Sequence, residues 1–81
     1  MKKSNTEISI VGGAGHVGFP LGLVFANKNF KVNLIDKNNH FLKTIEQGTP
    51  PFLEKGAKKL LKKCLKKKNL YTHLDYEPIK K

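Results

Sequence analysis

The chain has 81 residues, 38% of them hydrophobic and 27% charged, and its lysines leave a formal charge of +10. At this length one small domain, residues 1–81, is expected, burying only about 60–65% of the surface its unfolded form exposes, which is too little for a complete two-substrate enzyme. No apolar run approaches the roughly 20 residues that cross a bilayer, and the polar residues 1–7 lack the long apolar segment of a signal peptide, so a cytoplasmic location without a membrane partner is expected.

The single cysteine, Cys64, can form no intrachain disulfide and has no neighbouring cysteine to share a metal, which fits a reducing compartment. The basic balance invites a nucleic-acid reading, because clustered cations bind phosphate backbones by releasing counterions. All sixteen basic residues, however, are lysine, without one arginine fork for phosphate or guanine, and seven asparagines accompany them. A lysine- and asparagine-heavy composition is the simpler account, and nucleic acid is not expected as a partner.

Residues 7–11 (Glu-Ile-Ser-Ile-Val) are short, β-branched and stop at a glycine pair, the pattern of a buried parallel strand followed by a tight turn. A helix is predicted over residues 16–27, with Val17, Leu21, Val24 and Phe25 at helical spacing and a small-residue ridge of Gly18, Gly22 and Ala26 that permits close approach to a sheet. Pro20 falls near its first turn, where few backbone hydrogen bonds exist to lose. Residues 31–35 (Lys-Val-Asn-Leu-Ile) form the second strand and complete a parallel βαβ unit.

A second helix is predicted over residues 39–47, with Phe41, Leu42 and Ile45 inward and Gly48 as its stop. Pro50 and Pro51 then break the chain. A third helix is predicted over residues 53–67, its apolar stripe running through Leu53, Ala57, Leu60, Leu61, Cys64 and Leu65 and its lysines on the other face. Residues 70–73 read as a third strand and residues 75–81 as the beginning of another helix. The predicted fold class is α/β: the N-terminal part of a Rossmann-type doubly wound parallel sheet, β-α-β-α-α-β, truncated by the end of the chain.

Gly13-Ala14-Gly15-His16-Val17-Gly18 fits G-x-G-x-x-G. The reasons for the three glycines are separable: Gly13 for the tight turn, Gly15 for a pyrophosphate passing close to the backbone, Gly18 for packing of the helix on the sheet. The free N–H groups of His16 and Val17 at the start of the helix would face the phosphates, with the helix dipole behind them. Alone the motif is weak. Its context strengthens it: a strand precedes, a helix follows, and Asp36 ends the next strand 21 positions after Gly15. Asp36 would accept hydrogen bonds from the adenosine ribose and repel a 2′-phosphate, favouring NAD over NADP, although Lys37 stands beside it. The bland alternatives are a plain turn for the glycines and a solvated strand-end or N-capping carboxylate for Asp36. His40 and His73 have no partners at ligand spacing, and Cys64 reads as a small buried hydrophobe rather than a nucleophile.

On these residues the chain resembles the UDP-glucose/GDP-mannose dehydrogenase family of nucleotide-sugar dehydrogenases, and within it the UDP-N-acetylmannosamine dehydrogenases. The likeness runs from Ile10 through the glycine turn to Phe19-Pro20-Leu21 and Leu23, from Val32 to Asp36, and through the Gly48-Thr-Pro-Pro-Phe-Leu-Glu-Lys-Gly56 segment. It departs at Phe41, where many relatives carry a basic residue. The resemblance implies oxidation of a sugar primary alcohol to a uronate with two NAD and a cysteine thioester intermediate. It also implies that the nucleophilic cysteine, the catalytic lysine and the sugar-nucleotide domain lie beyond position 81, so no residue here is expected to be catalytic. Gly13, Gly15, His16, Val17, Gly18 and Asp36 are the candidate cofactor-binding residues, and a nucleotide sugar would be met only through downstream domains. Two alternatives stay open: a stand-alone nucleotide-binding module, stabilised by self-association that covers its sheet edges, and a lysine-rich polyanion-interacting protein.

Overall fold

The computed structural model describes residues 6–75. Their order is β1 (Glu7–Val11), α1 (Gly18–Asn27), β2 (Lys31–Ile35), α2 (Asn39–Glu46), α3 (Ala57–Lys66) and β3 (Leu70–His73). The strands form one parallel sheet in the order β1-β2-β3, with Ile8 opposite Val32 and Val32 opposite Leu70. This is the α/β fold expected for the first part of a Rossmann domain, and all three strands lie where their residue patterns place them. Of the helix predicted over residues 75–81, only Asp75 falls within the described residues.

Alternation along β2 separates the two faces of the sheet. Val32 and Leu34 join buried residues of all three helices in one core, with Phe19 and Leu23 from α1, Leu42 and Ile45 from α2, and Leu61 and Cys64 from α3. The opposite face has a polar centre. Asn33, almost fully buried, donates to the Glu7 carboxylate at 2.6 Å and to the Ser9 hydroxyl at 3.3 Å, and its Oδ1 lies 3.1 Å from His73 Nε2. One amide thereby links all three strands.

Helix α1 starts later than predicted, and it turns its small-residue ridge to the sheet as expected. It begins at Gly18, because residues 12–17 are occupied by turns, and Pro20 is its third residue, within the turn whose N–H groups have no helical acceptor. Its inward residues are Gly18, Phe19, Gly22, Leu23 and Ala26, whereas Val17, Leu21 and Val24 are exposed. The reason is size: a Cβ on Gly22 would lie 2.6 Å from Leu34 Cδ2, so the helix rests so close to β2 that only the small-residue ridge fits against it.

At the end of α1, Asn29 takes the left-handed conformation (φ 73°), and Phe30 N–H donates to the Phe25 carbonyl, closing the helix as a Schellman-type turn. Helix α2 is capped by Asn38, whose Oδ1 accepts from Phe41 N–H at 3.0 Å, and the chain leaves it through Gly48 (φ 87°) as expected. Helix α3 starts four residues later than predicted, after Gly56 (φ 81°). Leu53, which continues its apolar period backwards, is fully exposed in the preceding loop.

Candidate functional site

The glycine turn is built against the end of β2. Gly12 (φ 77°) makes the sharp reversal, and the N–H groups of Gly12 and Gly13 both donate to the Ile35 carbonyl, at 2.8 and 3.0 Å. The tight-turn role expected of Gly13 therefore belongs to Gly12. Gly13 is glycine for a different reason: a Cβ there would lie 2.6 Å from Leu34 Cβ and 2.7 Å from Leu34 Cα. A Cβ on Gly18 would run into the Gly12 carbonyl, so Gly18 sets the approach of α1 to the turn. At Gly15 the only near atom is the Gly12 oxygen at 3.2 Å, leaving its outer side open.

From this turn the chain enters α1 with Phe19 N–H donating to the Gly15 carbonyl and Leu21 N–H to that of Val17. Among the described residues the N–H groups of His16, Val17 and Gly18 find no backbone acceptor. They stand at the positive end of α1, an arrangement that attracts anions. His16 and Val17 are exposed, Val17 by 80%.

Asp36 follows β2 and is half-buried. Its Oδ2 accepts from Ala14 N–H and its Oδ1 from Asn38 N–H, each at 2.9 Å, while its own N–H donates to the His73 carbonyl at 3.0 Å. The carboxylate thus ties the glycine turn to the start of α2. Two oxygens offer about four acceptor positions, so capacity for further donors remains. Next to it a cleft of about 310 Å³ opens across the carboxyl ends of the strands, lined by Val11, Gly12, Ile35, Asp36, Lys37, Leu74 and Asp75. Open parallel sheets hold their ligands in this position.

The site also contains a residue that sequence reasoning missed. Phe52, from the loop between α2 and α3, lies face to face with His16, centroids 4.2 Å apart and planes within 7°, and edge-on to the buried Phe19 at 5.9 Å. The remaining candidates lie elsewhere. His73 belongs to the polar sheet face and His40 sits 5.9 Å from the Phe41 ring. Cys64 is buried under α1 with Sγ 3.9 Å from the Leu23 carbonyl. Burial pushes its thiol pKa up against the weaker pull of Lys67 and Lys63, which leaves it a poor nucleophile.

This geometry, an anion-receptive turn beside an acidic strand end and an open cleft, agrees with a family-level match. The model of the UDP-glucose/GDP-mannose dehydrogenase family NAD binding domain covers residues 6–81. The chain belongs to that family. Solved structures superpose closely on it: a UDP-D-ManNAc dehydrogenase from Pyrococcus horikoshii at a TM-score of 0.85 and 25% identity, over 93% of this chain and 18% of that one. A GDP-mannose dehydrogenase from Pseudomonas aeruginosa gives 0.79 and 28%, over 84% of this chain and 15% of that one. A UDP-glucose dehydrogenase from Pyrobaculum islandicum gives 0.83 at 23% identity, over 90% and 17%, a likeness of fold alone. The chain spans less than a fifth of the length of these relatives. No curated protein sequence matches it significantly.

The family domain binds NAD, and the residues present suit that cofactor. The three unengaged N–H groups, the Cβ-free outer side of Gly15 and the acceptor capacity of Asp36 are what a dinucleotide's pyrophosphate and ribose require. Among the described residues no helix is long and apolar enough to cross a membrane.

Proposed function

We propose that the chain, as a single NAD-binding Rossmann unit, holds NAD through Gly13, Gly15, His16, Val17, Gly18 and Asp36. The pyrophosphate meets the His16 and Val17 amides, the adenosine ribose meets the Asp36 carboxylate, and the adenine enters the cleft walled by Val11, Ile35 and Leu74. The observation that carries this reading is the set of unengaged N–H groups at residues 16–18, held beside a carboxylate that is fastened to the same turn at 2.9 Å. Bound NAD supplies a hydride acceptor for oxidation of an alcohol.

Family membership and the substrates named for its relatives support a place in an NAD-dependent nucleotide-sugar 6-dehydrogenase, which converts a UDP-sugar to a UDP-uronate for polysaccharide synthesis in the cytoplasm. In this reading the groups that oxidise the sugar are not among these 81 residues. Cys64, the one thiol, is buried in the core away from the cleft. The contribution of the chain is to bind and orient the cofactor.

Calorimetric titration of NAD and NADP into the chain tests the reading. NAD is expected to bind more tightly than NADP, and Asp36→Ala to weaken NAD and narrow the gap between the two. If the folded wild type takes up neither cofactor, the reading fails. An Asp36→Ala variant that weakens NAD and NADP equally would leave Asp36 a turn-fastening residue with no ribose role.

A further inference from the structure

The loop of residues 47–56 is pinned at both ends. Thr49 N–H donates to the Thr44 carbonyl at 2.9 Å where the loop leaves α2, and Leu60 N–H donates to the Gly56 carbonyl at 3.1 Å where it enters α3. Between these anchors Phe52 reaches across to the glycine turn, 36 positions earlier in the chain. Its edge contact with Phe19 seats it on the core, and its face covers the ring of His16, the side chain that lies between two of the unengaged N–H groups. Among the described residues the exposed His16 side chain makes no hydrogen bond, and the stacked Phe52 ring is the contact that restrains it.

We infer that Phe52 is a positioning residue of the cofactor site: by holding the His16 ring flat against its own, it fixes the turn in the conformation that presents the His16 and Val17 N–H groups to the pyrophosphate. The inference rests on the NAD reading above. An unrestrained, exposed His16 side chain samples several staggered rotamers, and the turn loses its side-chain contact with the 47–56 loop, keeping the backbone hydrogen bonds from Phe19 to Gly15 and from Leu21 to Val17. Preorganised donors bind more tightly because less freedom is lost when the ligand arrives. An aromatic pair of this kind corresponds to about a two- to tenfold change in affinity.

The experiment combines NAD calorimetry on the wild-type chain, Phe52→Leu, Phe52→Tyr, His16→Ala and the His16→Ala/Phe52→Leu double variant with proton NMR of the His16 ring, each variant first checked for folding by circular dichroism. Expected are ring-current-shifted His16 resonances in the wild type and in Phe52→Tyr, their loss in Phe52→Leu, and NAD affinity lowered about two- to tenfold in Phe52→Leu and restored in Phe52→Tyr. The double variant should bind no more weakly than His16→Ala, because the two residues act as one unit. Phe52→Leu binding NAD like the wild type, or losses at the two positions that simply add, would overturn the inference. Should Phe52→Leu not fold, His16→Ala decides in its place, and undiminished affinity there overturns it equally. A wild-type chain that binds no NAD overturns the cofactor reading and this inference with it, whereas a binding wild type with an indifferent Phe52 overturns the inference alone.

Discussion

Replacing Gly13 or Gly22 by alanine adds the same methyl group against the same residue, Leu34, yet the two substitutions should behave oppositely when Leu34 is shortened. At Gly13 the new Cβ meets Leu34 Cβ at 2.6 Å and Leu34 Cα at 2.7 Å, atoms that cannot move without moving β2. At Gly22 it meets Leu34 Cδ2, also at 2.6 Å, the far end of a rotatable side chain. Overpacking of this kind costs about 1–3 kcal/mol, and at Gly22 alanine also gains about 1 kcal/mol of helix propensity. Gly13→Ala is therefore expected to destabilise by about 1–3 kcal/mol, and Gly22→Ala by about 0–2 kcal/mol. In a Leu34→Ala background the Cδ2 atom is gone while Cα and Cβ remain, so Gly22→Ala should become stabilising by up to about 1 kcal/mol and Gly13→Ala should keep its cost. Urea unfolding of the four single and double variants against Leu34→Ala measures this. An 81-residue domain has only about 4–12 kcal/mol to lose, so these differences are well resolved. Equal effects of Gly22→Ala in both backgrounds, or relief of Gly13→Ala by Leu34→Ala, would refute the account of how the turn and α1 are seated on β2.

Other predictions follow from single contacts. Asn38→Ala removes the cap on Phe41 N–H and should lower stability by about 0.5–2 kcal/mol in thermal or chemical unfolding, whereas Asn38→Asp or Asn38→Ser should keep most of it. Asn33→Ala strips the polar sheet face of its shared partner and should cost about 1–3 kcal/mol, measured in the same way. The raised pKa of Cys64 means the folded chain holds that proton more tightly than the unfolded one. Its contribution is fully present below the ordinary thiol value of 9.0 and is lost as pH rises through the higher folded value. Wild type should thus lose stability relative to Cys64→Ala as pH climbs past 9, and thiol-specific reagents should modify Cys64 only at the rate of unfolding.

The strands were legible because a buried parallel strand is a short, largely apolar run, and residues 7–11, 31–35 and 70–73 are such runs, set off by Gly12, Asp36 and Asn69. The small-residue ridge of α1 was legible as the side that approaches the sheet, but the exposure of Val17, Leu21 and Val24 was not, because it depends on how closely Leu34 lets the helix approach, a tertiary distance. The same limit applies to Leu53, in phase with α3 but cut off from it by the left-handed Gly56. At the site, the spacing from the glycines to Asp36 was readable. The bond from Ala14 to Asp36 and the stack of Phe52 on His16 join residues 22 and 36 positions apart, and no local pattern encodes them.

The bond from Asp36 to Ala14 and the stack of Phe52 on His16 hold the turn in place whatever its other side chains. In the proposed binding mode the groups offered to a dinucleotide are mainly backbone N–H groups, which every residue but proline carries, so most side chains of the turn are free to vary. What cannot vary is what places those groups: glycine where Leu34 or the Gly12 carbonyl leaves no room, and a carboxylate that reaches Ala14 from the end of β2. Asp36 serves binding twice on this account, once through the oxygens it offers the ribose and once by holding the turn beside it. Asparagine keeps one of the two acceptor oxygens and removes the charge. Asp36→Asn should therefore preserve the turn better than Asp36→Ala while losing part of the discrimination against a 2′-phosphate. Amide exchange at Ala14 and the ratio of NAD to NADP affinity report the two roles separately. If both change in step across the aspartate, asparagine and alanine forms, the ribose role is only a consequence of the tie to the turn.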